Sequence, residues 1–438
     1  MKIPAVKGTR DFYPPLMALR NCILDGWKEA SLRNGFAEYD GPIFEYLKMY
    51  QVKSGDEIAE QLFNFTDRGD RKLAIRPEIT PTLARMVNQQ INSLPRPIKW
   101  FSLPRLCRAE RPQKGRLREF FQWNIDIIGA DDVIADAEII YTAVDYLRSL
   151  GLTANDIVVR ISSRSMLAAF LEAIGIPEEK LDGIYAILDK KAKLPEAAFD
   201  ELLEKQLPDA QKRDYVLKLM AAGTLEELKG MAAELGNEKL DIAKETKSIV
   251  ELETLFGYFE TMGIADYCKF DITIVRGLAY YTGPVYEIYD KSCELRAIAG
   301  GGRYDDLLKM FGGPQVSGTG LGMGDCVLGI LLEEKGLLNE TIALEKQTHL
   351  DYFVAYTDME QRDAAVKIAA ALREKGKKTS FSYKPLNFKK QLKQASAANA
   401  DACVILALEY QNVKELIIKD MKDGSQKQVP EESFLKSI

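Results

Sequence analysis

The residues best suited to chemistry stand in one run, from Phe101 to Gly129, which reads FSLPRLCRAERPQKGRLREFFQWNIDIIG. Two strand-like stretches flank a loop rich in arginine, lysine and glycine. Arg108 and Glu110 occupy alternate positions, which on a strand places both side chains on one face. An arginine fork binds phosphate through two hydrogen bonds, and a carboxylate holds a divalent cation or an amino group. The run is a candidate phosphate site, although an exposed hairpin with solvated charges explains the spacing equally well.

The composition limits which other sites the chain can carry. His349 is the single histidine, which argues against a histidine-based triad or a multi-histidine metal site. The 6 cysteines show no Cys-x-x-Cys spacing, so neither a zinc cage nor a disulfide framework is indicated. The net charge of −6 argues against affinity for nucleic acid over the whole surface, so any RNA contact must come from a local basic patch.

The chain has the composition of a folded protein outside the membrane. Its hydrophobic fraction is 46% and its charged fraction 28%, the balance of a globular protein. The first residues lack the apolar run of a secretory signal, and no stretch of about 18 uncharged apolar residues occurs. We therefore expect a cytoplasmic protein without a membrane partner.

The elements that must position the charged run alternate in type along the chain. Apolar spacing predicts a helix over Leu16–Leu32, and short apolar bursts predict strands between Phe36 and Ile79 and again from Ile98 to Ile128. Residues from about 165 to 263 form almost unbroken helical sequence, which indicates a helical insertion. Strand signals return from Phe270 to Tyr289.

A second unit follows a stretch of low apolar content that ends near Thr348. Strand and helix signals alternate from there to the last residue, which predicts a small α/β domain of about 90 residues. From Arg362 to Lys393 there are ten basic residues against two acidic ones, with Phe381, Tyr383 and Phe388 between them. Cations bind phosphate and aromatic faces stack on unpaired bases, so this segment is a candidate RNA contact; a solvated helical face with core aromatics is the alternative.

The charged run resembles motif 2 of class II aminoacyl-tRNA synthetases in its histidyl form. The resemblance rests on Arg108–Arg116, which reads RAERPQKGR, and on Gln122 and Asp126 of the returning strand. Other segments agree in the same order, and they are Lys7–Phe12, Arg76–Thr80, Val275–Gly283 (VRGLAYYTG), Gly300–Asp305 and, as motif 1, the region around Gly41–Phe44. The resemblance covers nearly the whole chain.

The resemblance implies an α+β fold. Residues 1–335 would form a class II catalytic domain on an antiparallel sheet, with the helical insertion at about 165–263. Residues 348–438 would form the α/β anticodon-binding domain. The implied activity is that of a histidine-tRNA ligase, which converts L-histidine and Mg-ATP to histidyl-adenylate and transfers the histidyl group to tRNA(His). The implied assembly is a homodimer, and no tightly bound organic cofactor is expected.

Site roles follow from the same resemblance. Asp126 and Tyr281 would offer an acceptor and a donor to the imidazole nitrogens. Glu78, Thr80 and Gln122 would bind the α-ammonium group. The full set expected to bind histidine is Glu78, Thr80, Arg108, Gln122, Asp126, Arg276, Tyr280, Tyr281 and Tyr304. Without the resemblance, ordinary core packing explains the three tyrosines better, and a tight turn explains Gly300–Gly302 as well as a site does.

Phosphate chemistry is assigned to arginines. Arg108 and Arg276 would bind the α-phosphate and, with Gln122, form the catalytic set, because they stabilise the charge that builds as pyrophosphate leaves. The residues expected at ATP are Arg108, Glu110, Arg116 and Arg303. Glu110 is also the candidate ligand for Mg²⁺.

Two positions depart from the family pattern. Asp325 stands where most relatives carry the motif 3 arginine that holds the γ-phosphate, and Ala279 stands where many carry aspartate. Catalysis could be lost, Arg116 or Arg303 could take over the tail of ATP, or Asp325 could recruit a metal ion. We expect an active enzyme because the other substrate residues are present.

Three other functions fit parts of the sequence. The first is a catalytically silent paralogue acting as the regulatory subunit of ATP phosphoribosyltransferase. The second is a tRNA-binding protein without activation chemistry. The third is a class II enzyme for proline, threonine or glycine, which Asp126 and the segment Arg276–Tyr281 argue against.

Overall fold

The computed structural model describes residues 3–54, 62–191, 194–235, 242–276, 280–407 and 409–438. The chain divides into two compact units. One contains residues 1–11 and 20–338, and the other contains residues 12–19 and 339–438. Both helix and sheet occur in each, so the α+β class is confirmed.

Helices account for much of the larger unit. Helix α1 runs from Pro14 to Arg33, which confirms the helix expected over Leu16–Leu32. The helices that follow are α2 (Leu47–Ser54), α3 (Thr80–Gln89), α4 (Ile134–Ser149), α5 (Arg164–Ala173), α6 (Glu178–Leu188), α7 (Glu196–Gln206), α8 (Ala210–Leu219), α9 (Leu225–Leu235), α10 (Ile242–Met262), α11 (Leu307–Met310) and α12 (Asp325–Glu334). Helices α5 to α10 fall in the stretch whose sequence predicts a helical insertion.

The main sheet carries the candidate site. In the described residues it has nine strands, β1 (Ala37–Glu38), β5 (Ile98–Ser102), β6 (Arg105–Cys107), β7 (Glu119–Ile128), β8 (Ile157–Ser163), β9 (Cys268–Phe270), β10 (Pro284–Asp290), β11 (Ala299–Arg303) and β12 (Gly318–Gly324). Their order is β1-β5-β7-β12-β11-β10-β8-β9, with β6 paired to β7. A smaller sheet has the order β2-β4-β3, from β2 (Phe44–Tyr46), β3 (Asn64–Thr66) and β4 (Lys72–Ile75).

The centre of the main sheet is antiparallel, as the resemblance implies, but two of its outer pairs are parallel. Strand β1 pairs in parallel with β5, and β8 pairs in parallel with β9. Parallel neighbours need a long crossover connection. The described helices α5 to α10 lie between β8 and β9 in the chain, so the insertion serves as that connection.

Strand register decides which residues share a face of this sheet. In β7 and β12, Asp126 lies opposite Gly320 and Asn124 lies opposite Gly322. Strand β11 continues the row, because Gly300 lies opposite Gly322. Side chains alternate between faces along a strand, so one face of the sheet carries glycines opposite polar residues.

The core beside this face fixes the start of α3. Leu83, Ala84 and Val87 of α3 are fully buried and belong to the same apolar cluster as Ile98 and Ile128 of the sheet. Their spacing is that of one helical face. Burial of this face holds the first turn of α3, and with it Thr80, near the sheet.

The smaller unit has its own sheet and core. Its elements are α13 (Glu340–Thr348), β13 (Leu350–Tyr356), α14 (Arg362–Glu374), β14 (Thr379–Phe381), α15 (Phe388–Ala397), β15 (Ala400–Leu406), α16 (Tyr410–Val413), β16 (Glu415–Asp420), β17 (Gln426–Pro430) and α17 (Glu431–Ser437). The strand order is β14-β13-β15-β16-β17, with β13 parallel to both neighbours. Ala365, Ile368, Ala369 and Leu372 form the buried face of α14, so this helix is amphipathic. No helix among the described residues is long and apolar enough to cross a membrane.

Candidate active site

The nine residues expected to bind histidine all line one cavity of about 80 Å³. This volume is several times the roughly 10–15 Å³ that a single water molecule needs. The cavity also touches Asn124, Gly300, Gly320, Leu321 and Gly322. Elements far apart in the chain therefore bring these polar side chains to the glycine-bearing face of the sheet.

Three glycines make room for the polar side chains. A Cβ atom on Gly300 would overlap the Arg276 guanidinium, and one on Gly320 would overlap the Asp126 carboxyl group. A Cβ atom on Gly322 would lie 2.7 Å from Nε2 of Gln122. Any side chain at these positions would thus displace a charged or amide group of the cavity.

Asp126 is buried and only half satisfied. The hydroxyl of Tyr304 donates a hydrogen bond to Oδ1, whereas Oδ2 has no hydrogen-bond partner among the described residues. Burial raises the pKa of the Asp126 carboxyl to about 7, and the hydrogen bond from Tyr304 limits the rise. A carboxyl group that titrates there, with one free oxygen in a cavity, suits a ligand that donates an N–H group and itself titrates near neutral pH.

The tyrosines of the cavity also form part of the apolar core. Tyr280, Tyr281 and Tyr304 are buried in one apolar cluster. The ring centroids of Tyr280 and Tyr281 are 4.7 Å apart, and those of Tyr280 and Tyr304 are 6.0 Å apart. The core packing expected without the resemblance is therefore present, and the same rings line the cavity.

Arg276 is held in an uncommon backbone conformation. Its φ angle is +54°, in the left-handed region that residues with a side chain seldom adopt. Its Nη1 lies 3.1 Å from Oε1 of Glu287, and its guanidinium lies 5.6 Å from the centre of the Tyr281 ring. Burial works to lower the pKa of Arg276, but Tyr281 and Glu287 outweigh it and raise the pKa. The group is a permanent cation. The adjoining residues 277–279, including Ala279, lie outside the described residues.

Arg108 reaches the cavity from the end of the hairpin. Strand β6 ends at Cys107, so Arg108 and Glu110 follow the strand rather than sharing its face. The Arg108 Nε–H donates to the carbonyl of Pro77 at 3.1 Å, and its guanidinium lies 5.0 Å from the centre of the Phe120 ring. Burial lowers the pKa of Arg108, while Glu78 acts in the opposite direction. Even so, an arginine stays protonated at neutral pH.

Two larger cavities continue from the first one. Their volumes are about 240 Å³ and about 1090 Å³, and Arg108 and Arg276 line both as well as the smallest cavity. Arg116 lines both of the larger cavities. Two guanidinium groups therefore stand where a small enclosed space meets a wider one, an arrangement suited to an elongated anion.

Glu110 and Arg303 do not line these three cavities. Glu110 forms an ion pair with Arg116. Arg303 lies on the opposite side of β11, where its Nε donates to Oδ2 of Asp136 at 2.9 Å and its Nη2 donates to the carbonyl of Asp132. Burial raises the pKa of Asp136 to about 6, against the pull of Arg303. This geometry does not support the ATP-binding role expected for Arg303.

Asp325 forms an ion pair with Arg10 of the N-terminal segment. Its Oδ2 lies 2.6 Å from Nη2 of Arg10, and its Oδ1 accepts a hydrogen bond from the backbone N–H of Phe121 at 2.9 Å. Only 4% of Asp325 is exposed. Both oxygens of this buried carboxylate already have partners, so the structure does not favour metal recruitment by Asp325. Within the described residues, no cluster of three or more potential metal ligands occurs.

Glu287 escaped the sequence-based assignment. It lies on β10 opposite Gly300, and it pairs with Arg276. The available signal was an acidic residue in the middle of β10, between Tyr286 and Ile288. A carboxylate on a buried strand usually has a cationic partner.

Comparison with known families agrees with this geometry. A family model described as histidyl-tRNA synthetase matches residues 8–324, and one described as an anticodon binding domain matches residues 351–438. The chain belongs to the histidyl-tRNA synthetase family. The motif resemblance is thereby confirmed.

Relatives within the family match over nearly the full chain. The histidine–tRNA ligase of Opitutus terrae is 38% identical, over 98% of this chain and 96% of that protein. The chloroplastic/mitochondrial histidine–tRNA ligase of Arabidopsis thaliana is 37% identical, over 97% of this chain and 84% of that protein.

Two solved structures share the fold. The histidyl-tRNA synthetase from Nostoc sp. PCC 7120 superposes with a TM-score of 0.78 at 23% identity, over 100% of both chains. A Bacillus halodurans C protein described as an ATP phosphoribosyltransferase regulatory subunit/histidyl-tRNA synthetase gives a TM-score of 0.73 at 23% identity, over 92% of this chain and 98% of that one. At this level of identity the likeness concerns the fold alone.

The titration of Asp126 provides a test of the site that needs no ligand. We expect Tyr304→Phe to raise the pKa of Asp126 above about 7, because the substitution removes the hydrogen bond that favours the carboxylate. Carbon NMR of protein labelled at aspartate carboxyl groups measures this, and Asp126→Asn assigns the signal. A pKa that stays the same or falls would contradict the proposed contact.

The same titration has a consequence for stability. The folded-state pKa of Asp126 lies above its ordinary value of 3.8. Its contribution to stability is therefore fully present below about pH 4 and is lost as the pH rises through about 7. Relative to Asp126→Asn, the free energy of unfolding of the unsubstituted protein should fall over this interval.

Proposed function

We propose that this protein is a histidine-tRNA ligase, and the observation that carries the proposal is Asp126. Its Oδ2 has no hydrogen-bond partner among the described residues, and Asp126 lines a cavity that Arg108 and Arg276 also line. An imidazole ring offers the N–H donor that this oxygen needs, and Tyr281 offers a hydroxyl to the second ring nitrogen. Glu78, Thr80 and Gln122 line the same cavity and supply oxygens for an α-ammonium group.

The first step of the proposed reaction joins the amino acid to ATP. A carboxylate oxygen of histidine attacks the α-phosphorus, the bond from that phosphorus to the β-bridging oxygen breaks, and pyrophosphate leaves. Negative charge builds on the phosphate oxygens during this step. Arg108 and Arg276 stand between the small cavity and the larger ones, where that charge would form, and preorganised cations at such a place lower the barrier. Gln122 holds the amino acid in line.

The second step transfers the histidyl group to tRNA. A hydroxyl of the terminal adenosine of tRNA(His) attacks the carbonyl carbon of histidyl-adenylate, and AMP leaves. No protein nucleophile is needed, since the adenylate is already activated. The cations that hold the α-phosphate in the first step stabilise AMP as the leaving group in the second.

Magnesium enters this proposal as part of the substrate Mg-ATP. Mg²⁺ at such sites is held by one or two carboxylates together with substrate phosphates and water. Glu110 is the protein carboxylate we assign to it. Glu110 now pairs with Arg116. Both groups would therefore turn toward the nucleotide when it binds.

Recognition of the tRNA is assigned to the smaller unit. Lys384, Lys389 and Lys390 are exposed there, and Tyr383 has 79% of its surface exposed. Phe381 and Phe388 pack against the apolar clusters of the unit, so Tyr383 is the aromatic residue available for stacking on a base. The match of this unit to an anticodon binding domain supports a ligase over the silent regulatory paralogue.

We also propose that the protein is a cytoplasmic homodimer. Ile43, Phe44 and Tyr46 are each about half exposed at and beside β2, and Phe44 packs edge-on against the exposed Phe65. A cluster of exposed aromatic side chains of this kind is typical of an interface.

Sedimentation tests the dimer. It should give about twice the 49.2 kDa of one chain, and Phe44→Glu should give the monomer mass. A monomer in the unsubstituted protein would refute the dimer. The cytoplasm is proposed because both substrates, tRNA and ATP, are present there.

Removal of the Arg276 guanidinium tests the assigned chemistry. We expect Arg276→Ala to lower histidine-dependent exchange of pyrophosphate into ATP by about 100- to 1000-fold, the usual cost of losing one preorganised transition-state contact. Arg148→Ala is the matched control, because Arg148 is exposed on α4 and lines none of the three cavities. Near-normal exchange in Arg276→Ala would refute the role of this residue.

The glycine at position 300 tests the same role without removing the arginine. Gly300→Ala should lower exchange to a similar degree, because the new methyl group occupies the place of the Arg276 guanidinium. Gly230→Ala is the control, since nothing lies within 4 Å of its new Cβ atom. Unfolding in urea shows whether the fold survives. Full exchange activity in a folded Gly300→Ala protein would mean that Arg276 works from another position.

A further inference from the structure

The segment before β11 places one more arginine beside the nucleotide cavities. Arg296 lines the cavity of about 1090 Å³, which Arg108 and Arg276 also line. It is exposed, and its Nη2 donates a hydrogen bond to Oε1 of Gln113. It forms no ion pair with a carboxylate of the described residues. A guanidinium with only a neutral amide partner keeps its full charge available for an anion.

The segment that Arg296 meets is a well-defined turn. Gln113 and Arg116 exchange two backbone hydrogen bonds, of 2.9 and 3.0 Å, and Gly115 between them has a φ angle of +72°. A Cβ atom on Gly115 would lie only 3.0 Å from the Val327 side chain. The turn fixes the backbone at Gln113, and the hydrogen bond between the two exposed side chains places Arg296 beside this turn.

The charge of the cavity favours a polyphosphate. Its ionisable lining residues are Arg108, Arg116, Arg160, Asp189, Lys191, Arg276, Glu287 and Arg296. Positive groups outnumber negative ones, but several are already paired. Arg116 pairs with Glu110, and Arg276 pairs with Glu287. Arg296 differs from Arg116 and Arg276, because no carboxylate of the described residues pairs with it.

Asp325 and Arg303, two other positions considered for the tail of ATP, are engaged elsewhere. Asp325 stands where most relatives carry an arginine, and it is buried against Arg10 and the backbone of Phe121. Arg303 is bound to Asp136 on the other side of β11. If Arg108 and Arg276 hold the α-phosphate, the β- and γ-phosphates extend into the wider cavity, where Arg296 lies.

We propose that Arg296, oriented by Gln113, binds the β- and γ-phosphates of ATP and the pyrophosphate that leaves. This inference rests on the proposed function and adds a catalytic residue to it. When the bond from the α-phosphorus to the bridging oxygen breaks, its electron pair goes to pyrophosphate. Arg296 then stabilises that charge, while Gln113 accepts one of the five N–H donors of the guanidinium and leaves the others for phosphate oxygens.

The test separates the tail of ATP from its α-phosphate. Calorimetry without histidine measures the affinity of Arg296→Ala for ATP and for AMP, which has only the α-phosphate. We expect ATP affinity to fall about 10- to 100-fold, the size of a lost charge-assisted contact, and AMP affinity to stay unchanged. Arg148→Ala serves as the control. Equal losses for ATP and AMP, or no loss for ATP, would overturn the assignment.

Exchange kinetics and a second variant sharpen the result. In Arg296→Ala the KM for pyrophosphate should rise as ATP affinity falls, while the KM for histidine stays constant; a rise in the KM for histidine alone would overturn the role. Gln113→Ala should show a smaller loss, and combining it with Arg296→Ala should add nothing, because Gln113 acts through Arg296. Additive losses would contradict the positioning role of Gln113.

The inference and the proposed function can fail separately. Nucleotide binding is measured without histidine or tRNA. In one outcome, the unsubstituted protein shows no histidine-dependent exchange, but Arg296→Ala still lowers the affinity for ATP and leaves the affinity for AMP unchanged. The ligase function is then refuted, and the phosphate contact stands. If exchange is normal and Arg296→Ala binds ATP normally, only the contact is refuted.

Discussion

The site depends on burying the Asp126 carboxyl group with one oxygen unpaired. A buried polar atom without a partner costs roughly 1–3 kcal/mol, so a fold retains one only where something else compensates. Here the surrounding structure compensates, since Tyr304 satisfies one oxygen and the core that contains α3 encloses the group. A ligand that donates an N–H to Oδ2 would recover that cost on binding. An imidazole ring carries an N–H group of this kind.

The glycines of β11 and β12 leave the space for the cavity beside Asp126. A central strand normally fills both faces with side chains, and Gly300, Gly320 and Gly322 leave one face empty. The empty face receives Asp126 and Gln122 from β7, and Arg276 from the segment between β9 and β10. The other face of β11 does ordinary structural work, because Arg303 binds Asp136 of α4 there. Strand β11 thus borders the cavity on one face and carries a structural ion pair on the other.

The motifs predicted which side chains come together, because the nine residues expected to bind histidine all line one cavity. They predicted the phosphate side less completely. Arg303 lies three positions after Gly300, so side-chain alternation along β11 turns it to the other face. The sequence alone left open whether these glycines form a turn or a strand. The partner of Asp325 is Arg10, 315 positions away in the sequence. A local sequence pattern cannot predict a contact between residues so far apart. Arg296 lies outside every quoted motif and became visible only through the cavity it lines.

The most direct test of the account is exchange of labelled pyrophosphate into ATP, measured with a panel of amino acids, with and without magnesium. If the protein is a histidine-tRNA ligase, exchange should occur with histidine and magnesium. Proline, threonine, glycine and the remaining amino acids should give background levels. Equal exchange with another amino acid, or none with histidine, would contradict the assignment of Asp126 as the group that selects an imidazole.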